Sequence, residues 1–106
     1  MKKIIGGLRY DTETAIEIGG FEYGYDPIGN FSHWWAVLYK TPLSGRYFLY
    51  GKGGARTQFA TSLPDGARCS GSDIIPLCAE EALKWAEEYL DPDQVEEHFL
   101  DMIKDA

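Results

Sequence analysis

The sequence predicts an α+β fold: an antiparallel sheet of about four or five strands, a short N-terminal helix, and two C-terminal helices packed on one face. Three observations predict it. Aromatic and β-branched runs bounded by Pro and Gly are typical of strands, and the last quarter of the chain has helical periodicity. The 106 residues, 44% of them hydrophobic, are enough for one core without disulfides or metal. We therefore expect a single domain spanning residues 1–106.

Two aromatic-rich runs, Trp34–Thr41 and Arg46–Gly51, form the centre of the predicted sheet. The four residues between them, PLSG, are typical of a hairpin loop. With Thr41 opposite Arg46, the cross-strand pairs are Val37 with Tyr50, Leu38 with Leu49, and Tyr39 with Phe48. Both faces of this hairpin are apolar, so we expect it to be central and covered on both sides.

The N-terminal quarter of the chain predicts a small hairpin and then a helix. Lys2–Ile5 is a short strand, Gly6-Gly7 a tight turn, and Leu8–Tyr10 the returning strand. Asp11 is a suitable N-cap for a helix over Thr12–Ile18, which the following glycine pair would end.

Three further segments have strand character. Phe21, Tyr23 and Tyr25 alternate as in an edge strand, and the composition of Arg56–Thr61 predicts a third strand. Ile74–Leu77 contains a proline, which cannot donate a ladder hydrogen bond, so we expect this strand at an edge.

The last 28 residues predict two amphipathic helices. Ala79–Leu90 places its apolar residues on one stripe, and Pro92–Lys104 begins with a proline directly after Asp91, a favourable N-cap. Cys78 is a poor capping residue for the first helix, although acidic residues complement the dipole there. The apolar side of the second helix is formed by Val95, Phe99, Met102 and Ile103.

Charge is distributed unevenly along the chain. The formal net charge is -7. Residues 80–106 hold ten acidic residues against two lysines, a net of -8, whereas residues 1–79 hold seven acidic residues against eight basic ones. This asymmetry favours a protein partner with a basic surface and argues against direct nucleic acid binding.

Two interpretations of these carboxylates stand side by side. One is a solvated helix face that keeps the protein in solution. The other is a surface that imitates phosphate spacing or binds a basic groove of another protein. In the second interpretation the partner-binding residues are Glu80, Glu81, Glu87, Glu88, Asp91, Asp93, Glu96, Glu97 and Asp101.

The three Trp, seven Tyr and five Phe also allow two interpretations. Either the helices and the N-terminal segment bury nearly all of them, or Tyr23, Tyr25 and Trp34 form an exposed aromatic contact for a partner. An alternative function is a small enzyme or ligand-binding domain whose aromatic pocket lies near Tyr23, Tyr25, His33 and Trp34. A third is a homodimer formed through a sheet edge or aromatic patch, so we expect a monomer or a homodimer.

No catalytic, metal or cofactor motif stands out. His33 and His98 lack a second ligand at metal spacing, and Cys69 and Cys78 lie nine residues apart without a CxxC motif. The segment from Gly51 to Arg56 lacks the ending of a phosphate-binding loop. We expect no cofactor and no enzymatic activity. With neither a membrane-spanning run nor a secretory signal, we expect a cytoplasmic protein.

Five segments of the chain resemble a family of small proteins carried by phages, plasmids and other bacterial mobile elements, most of them without an assigned function. The segments are residues 9–15 (RYDTETA), 38–39 (LY), 45–54 (GRYFLYGKGG), 74–77 (IIPL) and 81–85 (EALKW). Cys78 departs from the Thr or Ser expected to cap the helix in that family. The resemblance implies a role in maintaining the element or in countering host defence, for example as an anti-CRISPR-like inhibitor.

Overall fold

The computed structural model describes residues 1–24, 33–53, 59, 61, 62, 64, 66, 68, 69 and 71–106. Its strands within these residues are β1 (Lys2–Ile5), β2 (Leu8–Asp11), β3 (Ile16–Tyr23), β4 (Trp34–Lys40), β5 (Tyr47–Gly53), β6 (Thr61–Ser62), β7 (Arg68–Cys69) and β8 (Gly71–Leu77). Its helices are α1 (Ala79–Tyr89) and α2 (Pro92–Phe99), followed by a 3₁₀ turn over Leu100–Met102. The predicted α+β class is confirmed.

The main sheet has four antiparallel strands in the order β3-β4-β5-β8, and the predicted central hairpin lies in its middle. The register is the predicted one, with Val37 opposite Tyr50, Leu38 opposite Leu49 and Tyr39 opposite Phe48. At the loop, the Thr41 N–H donates to the Arg46 carbonyl at 2.8 Å, and the Arg46 N–H donates to Thr41 Oγ1 at 2.9 Å. The hairpin prediction is confirmed.

Both edges of this sheet carry segments with predicted edge character. β8 contains Pro76 and lies at one edge, paired only with β5 among the described strands. β3 contains Phe21 and Tyr23 and lies at the other edge, paired with β4. Tyr25 and most of the predicted strand Arg56–Thr61 lie outside the described residues.

The predicted helix over Thr12–Ile18 is wrong. Asp11 starts one turn, in which its side chain accepts the Glu13 N–H at 3.0 Å and its carbonyl accepts the Ala15 N–H at 3.1 Å. The chain then becomes β3, which begins at Ile16. Because Ile16 and Ile18 are β-branched and alternate with Glu17, they suit a strand better than a helix.

The following glycine pair lies within β3 and does not end a helix. Neighbouring groups lie close to both glycines, so that a side chain there would require them to shift by a few tenths of an ångström. A Cβ at Gly19 would lie 3.0 Å from both Gln94 Nε2 and Leu90 Cδ2, and one at Gly20 would lie 3.1 Å from Val37 Cγ2.

The predicted N-terminal hairpin is confirmed, with β1 and β2 paired antiparallel. Gly6 and Gly7 have φ values of 58° and 79°, as a two-residue type I′ hairpin turn requires. An ion pair of 2.6 Å between Lys3 Nζ and Asp73 Oδ1 joins this hairpin to β8.

One face of the sheet packs against the two C-terminal helices, as predicted. α1 contacts β3, β5 and β8, and α2 contacts α1 and β3. The buried residues of this core are Ile18, Trp34, Ala36, Leu38, Tyr47, Leu49, Phe59, Ala82, Ala86, Leu90, Val95 and Phe99.

The opposite face of the sheet packs against the N-terminal hairpin. Tyr10, Phe48 and Ile74 are buried there, with Ile5 and Leu8 half-buried around them. The central hairpin is therefore covered on both sides, as its two apolar faces indicated.

The helices are somewhat shorter than predicted. α1 ends at Tyr89, and α2 ends at Phe99, well before Lys104, because the chain tightens into the 3₁₀ turn. Helices of 11 and 8 residues are too short to span a bilayer, which takes about 20 residues, and no described helix qualifies as a membrane span.

Candidate protein-binding face on the C-terminal helices

The nine carboxylate residues predicted to bind a partner all lie on α1, on α2 or in the short segments that follow them. We refer to them together as the acidic face. Every one of them is exposed: Glu80, Glu81, Glu87, Glu88, Asp91, Asp93, Glu96, Glu97 and Asp101. They are exposed because Ala82, Ala86, Val95 and Phe99 turn the opposite sides of the helices into the core.

Helix α1 begins after Cys78, which is not a conventional capping residue, and Glu81 forms a capping box with it. Its carboxylate reaches back to accept the Cys78 N–H at 2.9 Å. This backbone hydrogen bond, together with a contact to the Cys78 side chain, lowers the pKa of Glu81 below its ordinary value of 4.5. The poor N-cap at Cys78 is thus compensated three residues later, as in a capping box.

Helix α2 begins in a similar way. The Asp91 N–H donates to Gln94 Oε1 at 3.2 Å, and the Val95 N–H donates to the Asp91 carbonyl at 3.1 Å. Pro92 occupies the first helical position, as predicted. The short connection at Leu90 and Asp91 therefore places α2 directly against α1.

No lysine or arginine among the described residues forms an ion pair with any member of the acidic face. Lys84 lies on α1 itself and is exposed, but it is not within ion-pair distance of these carboxylates. His98 Nε2 lies 3.9 Å from Glu97 Oε2, and this imidazole is charged only when protonated. Among the described residues, therefore, no lysine or arginine neutralises these carboxylates at ion-pair distance.

One member of the acidic face interacts with a neighbouring tyrosine. Burial raises the pKa of Tyr89, and the charge of Glu88 and its hydrogen bond to the phenol raise it further. Tyr89 also packs at the edge of Trp34, with ring centroids 5.3 Å apart. Glu88 and Tyr89 thus place a carboxylate beside the aromatic core at the end of α1.

Between α1, α2 and the C-terminal segment lies a cleft of about 650 Å³, which we call the helical cleft. Its apolar lining is formed by Leu83, Leu90, Pro92, Val95, Met102 and Ile103. Its charged lining is formed by Glu87, Glu96, Lys104 and Asp105. Glu87 comes from α1 and Glu96 from α2, so the carboxylates of the two helices converge on one concave surface.

This cleft was not predicted from the sequence. Glu87 and Glu96 belong to the predicted acidic face, but Met102 and Ile103 were expected to be part of the buried side of a longer helix. The 3₁₀ turn that ends α2 leaves Ile103 39% exposed at the cleft. In the sequence, the cleft could have been indicated by the close succession of apolar and acidic residues after Phe99, LDMIKD at 100–105.

The predicted aromatic contact is divided between core and surface. The Tyr23 and Trp34 rings are stacked, with centroids 6.1 Å apart and planes at 15°. Trp34 is only 8% exposed, whereas Tyr23 is 53% exposed. Tyr23 therefore provides the accessible area of this pair, and Tyr25 lies outside the described residues.

The described residues of the alternative aromatic pocket, Tyr23, His33 and Trp34, do not all lie on one side of the sheet, and Tyr25 lies outside the described residues. Tyr23 is paired with Trp34 on the helix-covered face. His33 precedes Trp34, and its Nε2 lies 3.0 Å from Oε2 of Glu22, which alternates with Tyr23 toward the other face. The described residues also include no group of three or more His, Cys, Asp or Glu side chains that could hold a metal ion.

Comparisons of this chain with protein-family models, with curated proteins and with solved structures found no significant match.

Proposed function

We propose that this protein is a non-enzymatic interaction protein that binds a basic surface of another protein through its acidic face. The partner would be a protein that handles nucleic acid, and binding would block its nucleic-acid site. The observation that carries the proposal is the exposure of all nine carboxylates, none of which pairs with a lysine or arginine of the described residues.

The spacing of the carboxylates suits such a partner. Glu80 and Glu87, like Glu81 and Glu88, are seven residues apart and so lie on the same side of α1, two turns from each other. A basic groove that binds a phosphate backbone presents Lys and Arg side chains in rows. Rows of carboxylates on a rigid helix would compete for those side chains.

The resemblance to proteins of phages and plasmids supplies a biological setting for this proposal. An acidic inhibitor carried by a mobile element would be directed against a host-defence protein that binds nucleic acid, in the manner of an anti-CRISPR protein. The competing interpretation is that the acidic face only keeps the protein in solution, and the experiment below separates the two.

The experiment is affinity capture from a bacterial lysate, followed by elution with duplex DNA. We expect a captured basic protein that is released both by salt and by DNA, because both compete for the same charges. A variant with Glu87→Gln and Glu97→Gln should capture less of it. The matched variant with Glu13→Gln and Glu17→Gln removes the same charge from exposed positions elsewhere and should capture as much as the wild type.

If both variants capture equal amounts of the basic protein, only net charge matters and the acidic face is not the binding site. If neither salt nor DNA releases the captured protein, the proposed mode of binding is contradicted.

A further inference from the structure

We infer that the helical cleft is the docking site for a basic amphipathic helix of the partner protein. This inference rests on the proposed function and specifies which part of the partner the acidic face binds. It starts from the combination of an apolar floor and acidic walls in a single concave surface.

The floor of the cleft offers apolar area to an incoming side chain. Of its apolar lining residues, Leu90 and Val95 are buried, whereas Ile103 is 39% exposed. Grooves of this kind receive the apolar stripe of an amphipathic helix, whose anchor residues recur at spacings of three and four. The volume of about 650 Å³ accommodates several such side chains.

The walls of the cleft select for positive charge. Glu87 stands on the α1 side and Glu96 on the α2 side, and Asp105 adds a third carboxylate, whereas Lys104 is the one cation among the described lining residues. A helix seated in the cleft would place the residues flanking its apolar stripe beside these carboxylates. Lysine and arginine suit that position because their stems cover apolar surface while their charged ends reach the carboxylates.

The same charges argue against a second copy of this chain as the occupant. The amphipathic helices among the described residues are α1 and α2, which carry most of the excess negative charge of the chain. Docking either one into a cleft walled by glutamates would bring like charges together, which opposes association.

The test uses a labelled synthetic peptide of about 18 residues, about 27 Å long as a helix, with leucines on one side and lysines on the other. The control peptide has the same composition in an order that forms no apolar stripe. Fluorescence anisotropy with the full chain should show that the amphipathic peptide binds at least about tenfold more tightly, a difference of about 1.4 kcal/mol.

Two pairs of variants locate the binding. Ile103→Ser should weaken the amphipathic peptide about threefold or more, whereas Leu100→Ser should leave it unchanged, since Leu100 is 65% exposed and is not part of the cleft lining. Glu87→Gln with Glu96→Gln should weaken binding more than Glu80→Gln with Asp93→Asn, which makes the same change in net charge. Circular dichroism confirms that each variant is folded.

The outcomes distinguish this inference from the function on which it rests. Equal binding of the two peptides, or equal effects of Ile103→Ser and Leu100→Ser, overturns the cleft inference but leaves charge-driven binding by the acidic face in place. Absence of peptide binding overturns the cleft inference too, and the lysate capture then decides the proposed function independently. If sedimentation shows that the wild type is a dimer and that Ile103→Ser is a monomer, the cleft binds a second copy of this chain instead.

Discussion

The ring of Phe59 lies directly against Gly51 of β5, in the space that a side chain at residue 51 would fill. A Cβ at this position would lie 2.3 Å from Phe59 Cζ and 2.5 Å from the Trp35 carbonyl oxygen. Phe59 is buried in the same core as Trp34, Ala82 and Ala86. The glycine thus allows an aromatic ring from outside the sheet to fill the core beneath the C-terminal helices.

Gly51→Ala should therefore destabilise the protein by about 1–3 kcal/mol, because the added methyl group overpacks the core. Chemical denaturation measures this as a lower midpoint. Gly20→Ala is the control, since its Cβ would approach only Val37 Cγ2 at 3.1 Å and the Ala36 carbonyl oxygen at 3.3 Å. A Gly51→Ala protein as stable as the wild type would show that Phe59 does not occupy this position.

Phe99 holds α2 to the sheet through a stacked contact with Tyr47. Their ring centroids are 5.3 Å apart with planes at 19°, and both residues are buried. Phe99→Ala should cost about 3–5 kcal/mol in the free energy of unfolding. The adjacent, exposed Leu100→Ala should change it by less than about 0.5 kcal/mol. Similar losses for the two variants would indicate that α2 does not pack as described.

The Glu81 cap should make the stability of α1 depend on pH. Its pKa is lower in the folded chain than its ordinary value of 4.5, so the ionised form favours folding above that pH. The contribution is lost as the pH falls through the lowered pKa. The melting temperature of Glu81→Ala should therefore lie below that of the wild type at neutral pH, and the gap should narrow in acid.

Glu80→Ala is the control for this cap, because Glu80 lies in the same first turn of α1 but the Cys78 N–H is bound by Glu81. If the difference in melting temperature between Glu81→Ala and the wild type does not change with pH, the effect belongs to helix propensity and not to the cap. If the difference equals that of Glu80→Ala, the effect belongs to the helix dipole.

The ion pair between Lys3 and Asp73 should contribute little to stability. Both side chains are more than 40% exposed, 43% and 44%, and exposed pairs typically give about 0.2–1 kcal/mol. A double-mutant cycle with Lys3→Gln and Asp73→Asn should give a coupling energy in this range that decreases with salt. The same cycle with Lys2→Gln should give none. A coupling well above this range would mean that the pair fixes the N-terminal hairpin against β8.

The parts of the fold that the sequence predicted best are those in which local pattern and tertiary environment agree. The register of the central hairpin follows from the four-residue loop between two aromatic runs. The structure confirms it, from the Val37–Tyr50 pair to the Thr41–Arg46 pair. The helix expected after Asp11 failed because its capping signal supports only one turn. Leu90 and Gln94 pack on Gly19 and so stabilise the extended strand. Local sequence patterns do not indicate this long-range packing.

For the candidate site, the exposure of the carboxylates was predictable from the sequence, whereas the cleft was not. Helical periodicity was enough to place Glu87 and Glu96 on exposed surfaces. That they line one cleft depends on how Leu90 and Asp91 turn α2 back against α1 and on where α2 ends, which are tertiary features. The aromatic prediction was limited by the same factor, because tertiary packing leaves Trp34 only 8% exposed. The rings in contact with it are those of Phe21, Tyr23, Phe59 and Tyr89.

The most direct measurement for the proposed function is the dissociation constant of the captured partner at about 0.1 M and about 1 M salt, where the Debye length falls from about 10 Å to about 3 Å. It is compared between the wild type and a variant with Glu87, Glu88, Glu96 and Glu97 all changed to Gln. We predict that the wild type binds much more weakly at high salt and that the variant binds weakly at both. Equal affinities of the two proteins at low salt would contradict the claim that the acidic face binds the partner.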